Sequence, residues 1–157
     1  MLRFRNHVHI KRPVDEVFRQ ISDLEKIPMW NYYVRKVERL SRPGPVVRGT
    51  QYRQVRKSDE QILNIDEIVH NKRVVISTSP ESSPQFTREM ALTQTNVNGS
   101  EATELVDTWK LDLAIPGVIE AILKTKVRTA IAENLHKLKE LLEHQGVRLQ
   151  DGRQVTL

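Results

Sequence analysis

Through the first eleven positions Phe4, Asn6, Val8 and Ile10 alternate with Arg5, His7, His9 and Lys11. A period of two sends successive side chains to opposite faces, so this stretch predicts a half-buried strand. The period changes at Pro13, a residue suited to a first helical position. Val14, Val17, Phe18 and Ile21 recur at helical spacing through the acidic first turn Asp15-Glu16, which predicts a short helix. Asp23 can cap a second short turn, Leu24 to Ile27, stopped by Pro28 before Met29 and Trp30. From Tyr33 to Leu113 the pattern is strand-like, interrupted at 41–49, 58–60, 70–72, 79–84 and 96–100, so six further strands fit. The last long element runs from about Pro116 to His144. Val118, Ile119, Ile122, Leu123, Val127, Ala130, Ile131, Leu135, Leu138, Leu141 and Leu142 supply its apolar stripe, and Glu120, Lys124, Arg128, Glu133, Lys137 and Glu140 lie largely outside it. Residues 1–145 read as a single domain. Residues 146–157 have no firm pattern and read as a C-terminal tail free to move.

Turn chemistry sets strand registers and so decides which polar residues face inward. Asn98-Gly99 suits a type I′ hairpin, because both central positions need positive φ. If Val97 opposes Ser100, then Leu92 opposes Leu105, Met90 opposes Asp107, Arg88 opposes Trp109 and Phe86 opposes Leu111. This face is apolar and should look at the long helix, yet it carries Arg88 and Asp107 as diagonal neighbours. Opposite charges on an inward face must pair or meet a polar ligand, since an unpaired buried charge is very costly. A two-residue turn at Asn71-Lys72 would set Glu67 against Ile76 and direct Leu63, Ile65, Glu67, Val69, Val74 and Ile76 inward. A similar turn at Asp59-Glu60 would set Tyr52 against Glu67 and Gln54 against Ile65, gathering a phenol, an amide and a carboxylate. Such a group is either a buried hydrogen-bond network or an acid–base set, because burial raises a carboxyl pKa towards neutrality. Trp30 and Trp109 are either core or pocket wall.

Composition narrows the classes. The 157 residues are 38% hydrophobic and 29% charged, a globular balance. No apolar run reaches the roughly 18 residues of a membrane span, and the first residues lack a signal peptide's apolar core. There is no cysteine, hence no disulfide and no thiolate chemistry. A cytoplasmic location fits. Residues 1–80 hold 16 Lys/Arg against 9 Asp/Glu, whereas residues 81–157 hold 9 against 11, so the net charge of +5 comes from the first half. Arg35, Lys36, Arg39, Arg42, Arg48, Arg53, Arg56 and Lys57 cluster there with Glu38 as the one acid between them. They form either a solvated sheet face or a surface for an acidic partner. Nothing in the stretch indicates specific nucleic-acid binding. His7 and His9 share a strand face but have no evident third ligand, so no metal is expected, and no cofactor is implied.

The order strand, two short helices, six strands, long helix resembles the START-related helix-grip superfamily, which includes the polyketide cyclase/dehydrase and lipid-transport family. Pro13-Val14-Asp15-Glu16-Val17-Phe18, the stretch Asp23 to Asn31 and Gly49-Thr50-Gln51-Tyr52 are similar to that family's opening, and the likeness covers roughly residues 3 to 144. It implies an α+β fold, a curved seven-stranded antiparallel sheet wrapped around the long C-terminal helix. It also implies a cavity for a small hydrophobic molecule, be it a lipid, a quinone or a polyketide. Residues expected to touch such a ligand are Trp30, Tyr52, Gln54, Ile65, Glu67, Phe86, Arg88, Met90, Leu105, Asp107, Trp109, Ile119 and Leu123. Were the domain an aromatic polyketide cyclase or dehydratase, Tyr52, Glu67, Arg88 and Asp107 would be its catalytic candidates. A third reading is an interaction module built on the basic strands.

Overall fold

A computed structural model describes all 157 residues. Strand β1 (Leu2–Ile10) leads through helix α1 (Val14–Ser22) and a 3-10 helix (Leu24–Met29) into β2 (Val34–Arg39), β3 (Gln51–Arg56), β4 (Glu60–Val69), β5 (Arg73–Thr78), β6 (Gln85–Val97) and β7 (Ser100–Asp112). Helix α2 (Gly117–His144) follows. The seven strands form one antiparallel sheet in the order β1-β7-β6-β5-β4-β3-β2. Only the β7-to-β1 pairing joins strands far apart in sequence; every other neighbour is the next strand along the chain. The expected α+β helix-grip architecture is the one observed. No helix is long and apolar enough to cross a membrane.

Alternation places the sheet. In β1 Leu2, Phe4, Asn6 and Ile10 are buried while Arg3, Arg5, His7 and His9 are exposed. The inner face carries a large apolar cluster running from Ile10 through Trp30, Tyr52, Leu63, Ile65, Ile76, Met90 and Leu105 to Leu135, Leu138, Leu141 and Leu142 of α2. A second, smaller cluster of Leu2, Phe4 and Leu111 sits towards the other end of α2, with Phe86, Trp109, Leu113, Val127 and Ile131 against it. Burying each leucine of α2 contributes about 1.5–3 kcal/mol, so the C-terminal half of the helix is what anchors it.

The N-terminal half behaves differently. Val118 is 76% and Ile122 73% exposed, and Ile119 is exposed as well, whereas Glu120 is buried. The stripe read from the apolar positions therefore holds only from Leu123 onward. At ~100° per residue, Val118 and Ile122 fall about 160° from Leu138 around the helix axis, while Glu120 falls in line with it. Phase, not apolarity, assigns the buried face.

Three local expectations need correction. The hairpin between β3 and β4 turns at Lys57-Ser58, not Asp59-Glu60. Val55 pairs with Glu60, Gln54 with Gln61 and Tyr52 with Leu63, and a bidentate Arg56–Asp59 ion pair at 2.7 and 2.6 Å spans the turn. Between β4 and β5 the loop has three residues, since Val69 pairs with Arg73 and Asn71 takes the left-handed conformation at φ 57°. A register shift between Ile65 and Glu67 then swaps faces, so Ile68 packs on the core in place of Glu67 and Val69. Finally, the tail is not patternless. Gln145 ends α2 at φ 59°, after which Gly146–Arg148 and Gln154–Thr156 pair as a hairpin, β8 and β9, with Val147 and Leu149 in the main core.

Candidate functional site

The two apolar clusters do not meet everywhere. Between them lies a cavity of about 280 Å³, with 12 of its 18 lining residues hydrophobic. Ile27, Val34, Leu63 and Ile76 line it from the large cluster; Phe86, Trp109, Leu111, Leu113, Val127 and Ile131 line it from the small one. Ala130 and Asn134 of α2 complete the helix wall, and Asn31, Arg56 and the exposed Tyr33 also line the cavity.

Its most ordered polar feature grows out of the β6–β7 hairpin. The Asn98-Gly99 turn has both residues at positive φ, 53° and 82°, and the register it imposes is the expected one, Val97 with Ser100 through Phe86 with Leu111. Arg88 and Asp107 consequently share the inner face as diagonal neighbours. Arg88 Nε donates to Asp107 Oδ1 at 2.7 Å and Nη2 donates to Oδ2 at 2.9 Å. Trp109 Nε1 donates to the same Oδ2 at 2.9 Å, and Asp107 is 0% exposed. The guanidinium carbon lies 4.8 Å from the Trp109 ring centre and 5.5 Å from that of Trp30, within the range of cation–π attraction. Arg88 is buried, clamped by a carboxylate and two indoles, and Nη1 makes no hydrogen bond to protein.

A second polar row runs along β3 and β4. Gln54 Nε2 donates to Gln61 Oε1 at 3.0 Å, and Gln61 Nε2 donates to the Pro84 carbonyl at 3.0 Å. Gln54 lines the cavity. Asn134 is 4% exposed and its Oδ1 has no hydrogen-bond partner in the protein.

Of the residues expected to touch a ligand, Gln54, Phe86, Arg88 and Trp109 line this cavity. Asp107 sits behind Arg88. Trp30, Tyr52, Ile65, Met90 and Leu105 are packed into the main core instead, and Ile119 and Leu123 lie outside the lining, N-terminal to the stretch of α2 that forms the wall. Glu67 leaves the set altogether: it pairs with Arg73 at 2.6 Å on the partly exposed outer surface, and the hydrogen bond from that guanidinium holds its carboxyl below the usual range. Tyr52 is driven the other way, its phenol pKa raised by burial. The phenol–amide–carboxylate group does not form, because the hairpin turns two residues earlier than assumed and the bulge turns Glu67 away. Asn31, Tyr33, Arg56, Val127, Ala130, Ile131 and Asn134 were not anticipated; for the helix residues the phase relative to Leu138 was the available signal.

The basic surface of β2 and β3 is partly self-neutralised. Glu38 pairs with Lys36 and Arg53, Asp59 with Arg56, and Arg39 donates to the carbonyls of Gly44 and Pro45. Lys57 lies over the Tyr32 ring at 5.2 Å.

Residues 1–143 match the family described as polyketide cyclase / dehydrase and lipid transport. No curated protein matches the chain. Among solved structures, a START superfamily protein from Mycobacterium smegmatis superposes with a TM-score of 0.68 at 14% identity, covering 90% of this chain and 97% of that one. A Deinococcus radiodurans protein gives 0.66 at 15% identity, over 92% and 98%. A Thermus thermophilus protein gives 0.64 at 22% identity, over 91% and 95%. These likenesses concern the fold.

Proposed function

The chain belongs to the polyketide cyclase/dehydrase and lipid transport family, and from that membership and the geometry of its cavity we propose that it binds and carries a small hydrophobic molecule between sheet and long helix. The observation that carries this reading is the lining: two-thirds apolar, with a few fixed polar groups, the composition by which small-molecule sites gain affinity from burial and orientation from isolated hydrogen bonds. A cyclase or dehydratase would need a proton acceptor at the substrate. Of the four catalytic candidates only Arg88 lines the cavity, and an arginine does not give up its proton. The carrier reading therefore stands ahead of the enzyme reading. The third reading, a basic docking surface, has Arg35, Arg42 and Arg48 as exposed charges without an ion pair.

The test is to purify the protein without denaturant, extract it with organic solvent and identify by mass spectrometry what leaves with it, then titrate the stripped protein with a neutral apolar probe at low and high salt. A stoichiometric hydrophobic molecule, and probe affinity indifferent to salt, are the expected results. Clean extracts together with no probe binding would refute the proposal. An anionic partner bound in its place, with an affinity that collapses as salt rises, would transfer the function to the basic surface.

A further inference from the structure

The β8–β9 hairpin lies beyond the stretch that matches the family, which ends at residue 143. We infer that this hairpin is a latch across the seam between the 3-10 helix and α2, and that its release governs how fast the cavity takes up and loses a guest. Its control of a guest rests on the cavity reading above; the latch itself does not.

The seam separates two walls of the cavity that the sheet does not hold together. On one side stand Ile27, Asn31, Tyr33 and Val34, carried by the 3-10 helix and the residues after it; on the other stand Ala130, Ile131 and Asn134 of α2. β2 is the last strand of the sheet, and no hydrogen bond passes directly from residues 24–34 to α2. The 3-10 helix also has little to fix it from within. It is six residues long, too short to be stable alone, and Pro28 inside it brings no N–H.

The hairpin bridges the gap at two depths. In the interior Val147 and Leu149, each 3% exposed, belong to the cluster that holds Leu24 and Ile27 as well as Leu138 and Leu141. At the surface Gln150 shares a groove with Thr129, Glu133, His136 and Lys137, on the same turns of α2 that carry Ala130 and Asn134. Across the seam Arg153 Nη2 donates to the Pro28 carbonyl at 3.0 Å, one of the acceptors that a helix end leaves unmatched. The tip is braced to make that reach. Gly152 N donates to the Leu149 carbonyl at 3.0 Å, Arg153 N donates to Asp151 Oδ1 at 3.1 Å, and Gly152 sits at φ 87°, a conformation that favours glycine. The two attachments differ in strength. The inner one is apolar burial, whereas the hold on the 3-10 helix ends in one exposed hydrogen bond. Such a bond shifts a local equilibrium by about 3–10-fold, so the seam can open without unfolding the sheet.

Two variants test this. Arg153→Met removes the donor and keeps the apolar stem. Gly152→Ala strains the tip at positive φ without adding a clash, since nothing lies within 4 Å of the new Cβ. Hydrogen–deuterium exchange of the whole chain without guest, followed by mass spectrometry, reads the latch; stopped-flow displacement of a neutral naphthalene-based fluorescent probe reads the guest. Amides of residues 24–34 should exchange about 3–10-fold faster in both variants, with β5 and β6 unchanged. Probe association and dissociation should quicken together by a similar factor, leaving Kd within about twofold of wild type. Unchanged exchange at residues 24–34, or acceleration spread evenly over the sheet, would overturn the latch. Local acceleration with unchanged probe kinetics would overturn its control of the cavity. A probe that never binds wild type would bring down the cavity reading and the guest control with it, while amide exchange still decides the latch.

Discussion

Arg88 and Asp107 are tied by two hydrogen bonds in a place where neither charge is tolerable alone. Removing one partner leaves the other buried and uncompensated, which costs about 3–5 kcal/mol, whereas replacing both with apolar groups of similar volume is often neutral. Denaturant unfolding of Arg88→Met, Asp107→Leu and the double variant should therefore show two large single losses and a double loss well below their sum. Additive losses would mean that the pair does not act as a unit. Tyr52 makes a prediction of opposite character. Burial raises its pKa, so in the folded protein the phenol keeps its proton where the unfolded chain begins to lose it. That stability is fully present below the unfolded value of about 10 and is lost as pH rises through the higher folded value. Wild type should lose stability above pH ~10 more steeply than Tyr52→Phe, measured by denaturant unfolding across the alkaline range; identical slopes would contradict the assignment.

At the scale of elements, α2 is two helices in function. Its C-terminal half presents Leu135, Leu138, Leu141 and Leu142 to the sheet, all buried, while Val118 and Ile122 at the other end face away. Leu138→Ala should destabilise by about 2–5 kcal/mol, and Ile122→Ala by no more than about 0.5 kcal/mol. Comparable losses at the two sites would mean that the apolar stripe is continuous after all. The same elements show what a sequence can and cannot convey. The β6–β7 hairpin was legible to the residue, because Asn98-Gly99 admits essentially one two-residue turn and a thirteen-residue partnership on each strand follows from it. The neighbouring hairpins were not. Lys57-Ser58 is held by the Arg56–Asp59 ion pair rather than by a residue that demands positive φ, and a three-residue loop at Asn71 is indistinguishable by composition from a two-residue one. A one-residue shift changes the face of every side chain downstream, and the bulge after Ile65 did so for Glu67. Thus Arg88 and Asp107 were placed correctly from sequence, whereas Tyr52, Gln54 and Glu67 were drawn together by a register that does not exist.

For the whole molecule, the fold explains why a cavity exists where it does. A curved sheet closes against the C-terminal half of α2 with leucines, and Phe4, Trp109 and Leu111 gather with Val127 and Ile131 farther along the helix. The space left between the two clusters is walled by side chains from both, and the hydrophobic-ligand reading rests on that space being available to a guest. Ala130 is the lining residue whose enlargement occupies it most directly, because its side chain is small and its helix is anchored on the C-terminal side by Leu135 and Leu138. The decisive measurement is titration of a neutral naphthalene-based fluorescent probe into wild type and Ala130→Trp, with melting temperatures recorded alongside. The account predicts binding to wild type at about micromolar affinity, as expected for a small apolar guest, and a loss of at least about tenfold in a variant that still unfolds cooperatively, overpacking costing typically about 1–3 kcal/mol. Equal binding to the two proteins, or none to wild type, would contradict it.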